Sequence, residues 1–243
     1  MTDRVTVGFL HPGHYAACFA ESVKDLLLFD LANEQRIMSH QFGQMAKECG
    51  AAGIVDGRNA LAKFMCDEAT EVDWLFMVDS DMGFAPDTVE RLIAAADPER
   101  RPVVGGLAFA MKTDGRSSFY GIRYRAQPTL YDFHEDDDRI GVVPRFEYPR
   151  NKLVEVAATG GACILIHRTA FEAVRAKYGD VWFDTIRHPK GANFSEDLAF
   201  CIRLAACDIP VHVHTGIRTT HDKGGVFLDE EFYDRQQGAA VRS

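Results

Sequence analysis

Apolar positions alternate between two periods along the first half of the chain. Val5 to Leu10 alternates as a strand and stops at His11-Pro12-Gly13-His14, a strand-to-loop boundary. Tyr15 to Phe29 then carries Phe19, Val23, Leu26 and Leu27 at helical spacing. Arg36 to His40 reads as a short strand, and residues 41–56, broken at Gly50 and Gly53, show no clear period. A second helix begins at Arg58, with Ala60, Leu61, Phe64 and Met65 on one face. Trp74 to Val78 is short, aromatic and β-branched, and Asp79-Ser80-Asp81 stops it, which predicts a buried central strand. Pro86 opens a third helix with Asp87 in its first turn and Val89, Leu92 and Ile93 inward. Val103-Val104 starts another strand, closed by Gly105-Gly106. Residues 1–108 thus read β-α-β-α-β-α-β, the alternation of a doubly wound α/β fold.

The pattern changes after Met111. Residues 112–153 are rich in Gly, Pro, aromatic and charged positions and read as a strand-rich flap. Tyr120, Tyr124 and Tyr131 either line a ligand surface there or pack the flap. The acids Glu135 to Asp138 point different ways and form an exposed hairpin tip. Leu153 to Ala158 and Ala162 to His167 are apolar strands around Thr159-Gly160-Gly161, where the glycines permit close backbone approach or a tight bend. Thr169 to Lys177 is a short helix, and a loop carries Trp182 to Asn193. Ser195 is placed to cap a helix over 196–206, with Glu196 and Asp197 in its first turn. Val211 and Val213 form a last strand, His221 follows on a Gly-flanked loop, and residues 229–243 form a polar, partly mobile tail.

Composition narrows the class without changing this picture. The 243 residues suffice for one α/β domain, and 47% apolar with 26% charged residues is ordinary for a soluble globular protein. A net charge of -9 argues against nonspecific adhesion to DNA or anionic membrane. The six cysteines are scattered with no C-x-x-C pair, as reduced core residues would be. No apolar run reaches the length of a membrane span, and Met1 to Arg4 leads directly into a strand without a signal-like stretch. A cytoplasmic protein is the expectation.

Candidate chemistry gathers at the sheet's carboxyl edge, where open α/β sheets place ligands. Asp79 and Asp81, one residue apart at a strand's end, suit a divalent cation held beside phosphates. The same triplet also serves as a plain turn signal. Arg58 and Asn59, in a helix's first turn, are either phosphate or nucleotide contacts or a solvated Arg and a capping Asn. Capping alone accounts for Glu196-Asp197 unless they face a pocket. The histidines of 212–221 are too unevenly spaced for a structural zinc site.

Five stretches taken in order resemble a nucleotide-sugar glycosyltransferase of the GT-A fold, close to the family 2 type. They are Ile54-Val-Asp56-Gly-Arg58-Asn59, Asp79-Ser80-Asp81, Thr159-Gly160-Gly161, Ser195-Glu196-Asp197 and Val213 to His221. The resemblance implies a GT-A, Rossmann-like α/β fold with a mixed, mostly parallel sheet and helices on both faces. It implies Mn²⁺ or Mg²⁺ held by Asp79, Asp81 and His221, and a nucleoside-diphosphate sugar as donor. His11, Asp56, Arg58, Asn59, Asp79, Ser80, Asp81, Gly160 and Gly161 would surround the donor. Asp197, with Glu196 beside it, would act on the acceptor, Asp197 as general base. One domain over 1–243 is then expected, with a nucleotide-sugar-binding half (1–111), an acceptor-side half (112–228) and the tail (229–243). The acceptor stays open among a glycan, a small molecule, a protein and a modified base, as does a homo-oligomer. The chain departs from the family in His214 where relatives often carry Asp, in Cys207-Asp208 where Gly is common, and in a first strand ending without an acid. These departures leave donor nucleotide and stereochemistry open. The alternatives are a nucleotidyltransferase, which wants a Gly- and Lys/Arg-rich loop that His11 to His14 does not supply, and a non-catalytic glycan-binding protein.

Overall fold

A computed structural model describes residues 3–38, 46–48, 53–113 and 124–240; of residues 46–48, 239 and 240 it describes the backbone alone. The alternating first half forms β1 (Val5–His11), α1 (Ala17–Ala32), β2 (Ala46–Glu48), α2 (Gly53–Asp67), β3 (Trp74–Val78), β4 (Met82–Phe84), α3 (Thr88–Ala95) and β5 (Val103–Leu107). The flap supplies β6 (Phe109–Thr113), β7 (Tyr124–Pro128), β8 (Leu130–Glu135) and β9 (Ile140–Pro144). The chain then adds β10 (Leu153–Val156), β11 (Ala158–Thr159), β12 (Cys163–His167), α4 (Arg168–Tyr178), β13 (Ile186–Arg187), β14 (Asn193–Phe194) and α5 (Glu196–Ala205). It closes with β15 (Val211–Asp222), β16 (Phe227–Leu228) and α6 (Glu230–Ala240).

The main sheet runs β10-β15-β5-β12-β3-β1-β2 and is mixed. Strands β2, β1 and β3 pair in parallel, and β15 pairs in parallel with β5. Strand β12 lies antiparallel between β3 and β5. Helices cover both faces, and β3 shows how. Leu75 and Met77 pack with Leu61, Met65, Phe171 and Phe200 of α2, α4 and α5. Trp74, Phe76 and Val78 pack with Phe19, Leu26, Val89 and Leu92 of α1 and α3. A strand buried on both faces reads as a continuous apolar run because alternate side chains have equally dry destinations. Each such side chain contributes about 1.5–3 kcal/mol, so β3 anchors the layers.

Several expectations change. Residues 36–38 make one parallel bridge, Val5 with Ile37, rather than a strand, and 39–40 lie outside the described residues. Helix α2 starts at Gly53, so Arg58 and Asn59 sit in its body rather than its first turn. Helix α3 begins at Thr88, with Asp87 at the cap position. The segment read as a tail continues as α6, and Tyr233 inserts into the core against Phe109 and Tyr148. The last strand is far longer than Val211 to Val213. Beyond an irregularity between His214 and Arg218, its far end also pairs with β4 and β16. Tyr120 lies outside the described residues, Tyr131 is buried, and the acids at 135–138 sit at the β8–β9 hairpin tip as expected. No helix among the described residues is long and apolar enough to cross a membrane.

Candidate active site

The connection from β3 to β4 is pinned by three other segments. Asp79 N donates to the Ala162 carbonyl (3.0 Å), Ala16 N donates to the Ser80 carbonyl (2.9 Å), and Asp222 N donates to the Asp81 carbonyl (2.8 Å). Its backbone is therefore committed to the scaffold, and its carboxylates are free to face the cleft. That cleft is a cavity of about 380 Å³ at the carboxyl edge of the sheet. His11, Arg58, Asp79, Ser80, Asp81, Glu196 and Asp197 line it together, with Leu10 and Ile54 as apolar wall.

Arg58 holds one side of the cleft together. It is only 5% exposed, its Nη2 lies 3.0 Å from Asp79 Oδ1, and its Nη1 lies 2.9 Å from Glu196 Oε1. Burial pushes its pKa down, but the carboxylates of Asp79, Asp197 and Glu196 outweigh this and hold it above the usual guanidinium value. Its guanidinium also lies 6.0 Å from the centroid of the Phe183 ring. The solvated-Arg reading is thus excluded. Gly161 makes the arrangement possible: a Cβ there would sit 2.8 Å from Arg58 Cζ. Gly160 is less constrained, with an added Cβ at 3.5 Å from Asp197 Oδ2.

Asp81 anchors the other side. Its Oδ1 lies 3.1 Å from His221 Nε2, and its Oδ2 accepts from Lys223 Nζ at 2.7 Å. Burial raises its pKa, but the contacts with His221 and Lys223 prevail and hold the carboxyl below its usual range. The sequence places His221 on a Gly-flanked loop. It is instead 8% exposed within β15, opposite Met82 of β4, and so is held beside Asp81 by strand register. Its Nδ1 lies 2.8 Å from the Phe109 carbonyl, which only accepts, so Nδ1 carries the hydrogen. The buried Nε2 is left facing Asp81 Oδ1 without a well-formed hydrogen bond.

Asp197 is oriented by its own helix start. Its Oδ1 accepts from Leu198 N at 2.8 Å and from the Ser195 hydroxyl. Ser195 occupies the cap position but makes no side-chain bond to the helix backbone, so the sequence reading of it as a cap is corrected. Asn59 does not face the cavity. Its Oδ1 accepts from Trp182 N (3.0 Å) and Phe183 N (2.9 Å), and its Nδ2 donates to the Phe183 carbonyl (2.6 Å). Asn59 therefore fastens the loop whose Trp182 and Phe183 fill the core, a part of 182–194 that belongs to the interior. Asp56 is exposed in the first turn of α2 and does not line the cavity.

Lys223 was missed in the sequence. It stands two residues beyond His221, and alternate residues along an extended chain share a face. Among the described residues no three His, Cys, Asp or Glu side chains converge as a metal-ligand cluster, since Asp79 is turned to Arg58.

No protein-family model and no curated protein sequence matches the chain. Solved structures do. The crystal structure of A197 from STIV superposes with a TM-score of 0.55 at 15% identity, covering 94% of this chain and 91% of that one. GalNAc-T7, solved with UDP, GalNAc and Mn²⁺, superposes with a TM-score of 0.55 at 12% identity over 92% of this chain. This chain spans 45% of GalNAc-T7. These likenesses show the fold, a mixed sheet flanked by helices of the Rossmann-like GT-A kind.

Proposed function

We propose that this protein is a metal-assisted glycosyltransferase moving a sugar from a nucleoside-diphosphate donor to an acceptor hydroxyl. One observation carries the reading. Asp81 Oδ1 and His221 Nε2 face each other at 3.1 Å, and a carboxylate beside an imidazole nitrogen at a sheet's ligand edge can share a cation once that nitrogen is unprotonated. Asp81 and His221 would hold a divalent ion, with Asp79 beside them. When bound, the ion supplies Lewis-acid stabilisation of the departing diphosphate. The resemblance to GalNAc-T7, itself solved with UDP, GalNAc and Mn²⁺, supports the same choice of donor class.

The remaining roles fall to this chain's side chains. Glu196 Oε1 is engaged by Arg58, so Asp197 is the better proton acceptor of the pair. As the acceptor oxygen bonds to the anomeric carbon, the bond from that carbon to the diphosphate oxygen breaks. The hydroxyl proton passes to Asp197, whose carboxylate Ser195 and Leu198 N keep oriented. Arg58 keeps Asp79 and Glu196 in place throughout. Calorimetry of UDP and GDP with and without Mn²⁺ tests the reading. Asp81→Ala should abolish the Mn²⁺-dependent part of binding at unchanged melting temperature, and wild-type binding that ignores Mn²⁺ would sink the reading.

A further inference from the structure

Asp81 is shared between two groups. The imidazole nitrogen His221 Nε2 faces Oδ1, and an ammonium, Lys223 Nζ, sits on Oδ2. The backbone beneath Lys223 is fixed: its N–H donates to the Val226 carbonyl (2.9 Å), Gly225 N donates to Asp222 Oδ1 (2.8 Å), and Gly224 and Gly225 take positive φ of 69° and 90°. The side chain above is a flexible four-carbon stem, 30% exposed. Two cavities meet at this contact, one of about 380 Å³ and one of about 440 Å³, and both Asp81 and Lys223 line each of them.

We propose that Lys223 is a displaceable internal cation: it occupies Asp81 until a divalent ion takes that carboxylate, then swings into the cleft and binds the donor's diphosphate. This rests on reading Asp81 as a metal ligand. Two cations on one carboxylate repel, and the Lys side chain alone is free to leave, because His221 is fixed in β15 opposite Met82 and the Asp81 carbonyl is bonded by Asp222 N. An ammonium released there adds positive charge where the leaving group gains negative charge. The contact thus costs metal affinity in the empty protein and adds nucleotide affinity once metal is bound.

The test is calorimetric titration of Mn²⁺ alone into wild type, Lys223→Met, Lys223→Arg and Asp81→Ala, with thermal melting to confirm each fold. Lys223→Met should bind Mn²⁺ roughly five- to tenfold more tightly, the scale of one partly buried charge pair. Lys223→Arg, keeping the charge, should stay within about twofold of wild type. With Mn²⁺ saturating, UDP and GDP should then bind Lys223→Met roughly five- to tenfold more weakly. Mn²⁺ affinity in Lys223→Met that equals or falls below wild type, while Asp81→Ala loses binding, overturns the proposal and spares the functional reading. Unchanged nucleotide affinity in Lys223→Met also overturns it. Equal Mn²⁺ affinity in wild type and Asp81→Ala overturns both. A silent wild type beside a Lys223→Met that binds through Asp81 supports the displacement outright.

Discussion

Gly161→Ala offers a way to disturb Arg58 without touching it. The new Cβ would stand 2.8 Å from Arg58 Cζ and Nη1 and 2.9 Å from Nη2. Carbon contacts settle near about 3.5–4.0 Å, so the guanidinium must retreat by roughly 0.7 Å or more. Its two bonds, at 2.9 Å to Glu196 and 3.0 Å to Asp79, do not survive such a stretch. Charge-assisted bonds contribute about 1.5–3 kcal/mol each. Asp79 is 38% exposed and Glu196 19%, so water recovers part of the loss, chiefly at Asp79. The expected cost is about 1.5–3 kcal/mol. In an Arg58→Ala background the three atoms nearest the added methyl are gone. Gly→Ala there should cost a few tenths of a kcal/mol, or stabilise by up to about 1 kcal/mol through the unfolded chain. Urea denaturation of wild type, both single variants and the double variant should therefore give a coupling of about 1.5–3 kcal/mol. Additivity within about 0.5 kcal/mol would mean that Gly161 and Arg58 do not share one site, and the packing argument would fall.

The remaining predictions concern other parts of the site and the scaffold. Asp197→Asn should retain Mn²⁺ and nucleotide affinity and lose transfer, whereas His221→Ala should lower Mn²⁺ affinity and nucleotide binding together; the reverse pattern would exchange the two roles. Asn59→Ala should destabilise by about 2–4 kcal/mol, because it strands the buried N–H groups of Trp182 and Phe183, and a loss under about 0.5 kcal/mol by urea denaturation contradicts that accounting. Burial lowers the pKa of His167, His212 and His214, so the unfolded chain binds more protons once pH falls below about 6.5. Stability conferred by these neutral rings is full above that pH and drains toward their lowered folded values, so the urea midpoint should fall between pH 7.5 and 5.5, less steeply in His167→Gln; a flat midpoint refutes this.

The parts of the fold that the hydrophobic pattern exposes are those whose cores are made of hydrocarbon. Strand β3 is legible because both its faces are apolar, and α1, α3 and α4 because one face is. Strand β15 hides for the opposite reason. Thr215, Thr219 and His221 are buried in it, each bonded to a backbone carbonyl: Thr215 to Pro149 (2.6 Å), Thr219 to Leu107 (2.9 Å) and His221 through Nδ1 to Phe109 (2.8 Å). A polar residue whose partner lies far along the chain scores as surface in any local pattern. Helix α6 is obscured likewise, since beside Tyr233 it is held largely by polar side chains with distant partners: Glu230 meets Tyr148, Arg150 and Arg218, and Gln236 bonds Ala126 N and the Tyr124 carbonyl.

The site shows the same division between local and distant information. Asp79-Ser80-Asp81 and Glu196-Asp197 announce themselves, because acids that end a strand or begin a helix are visible in a few residues. Their counterions are not. Arg58 looks misplaced near a helix start until Asp79 and Glu196, 21 and 138 residues away, close around it. Asp81 likewise finds His221 and Lys223 only because β15 returns beside β4. The cleft's charged side chains thus pair with one another, and acids alone do not distinguish a metal site from an internal ion-pair network. What distinguishes them is which protein cation can leave. Arg58 is buried and doubly bound, so Asp79 is held by a fixed partner. Lys223 is a flexible stem at a rim between two cavities, and the carboxylate it covers also faces the imidazole of His221. Were a divalent cation to enter, that asymmetry would favour Asp81 and His221 and leave Asp79 the weaker member of the pair.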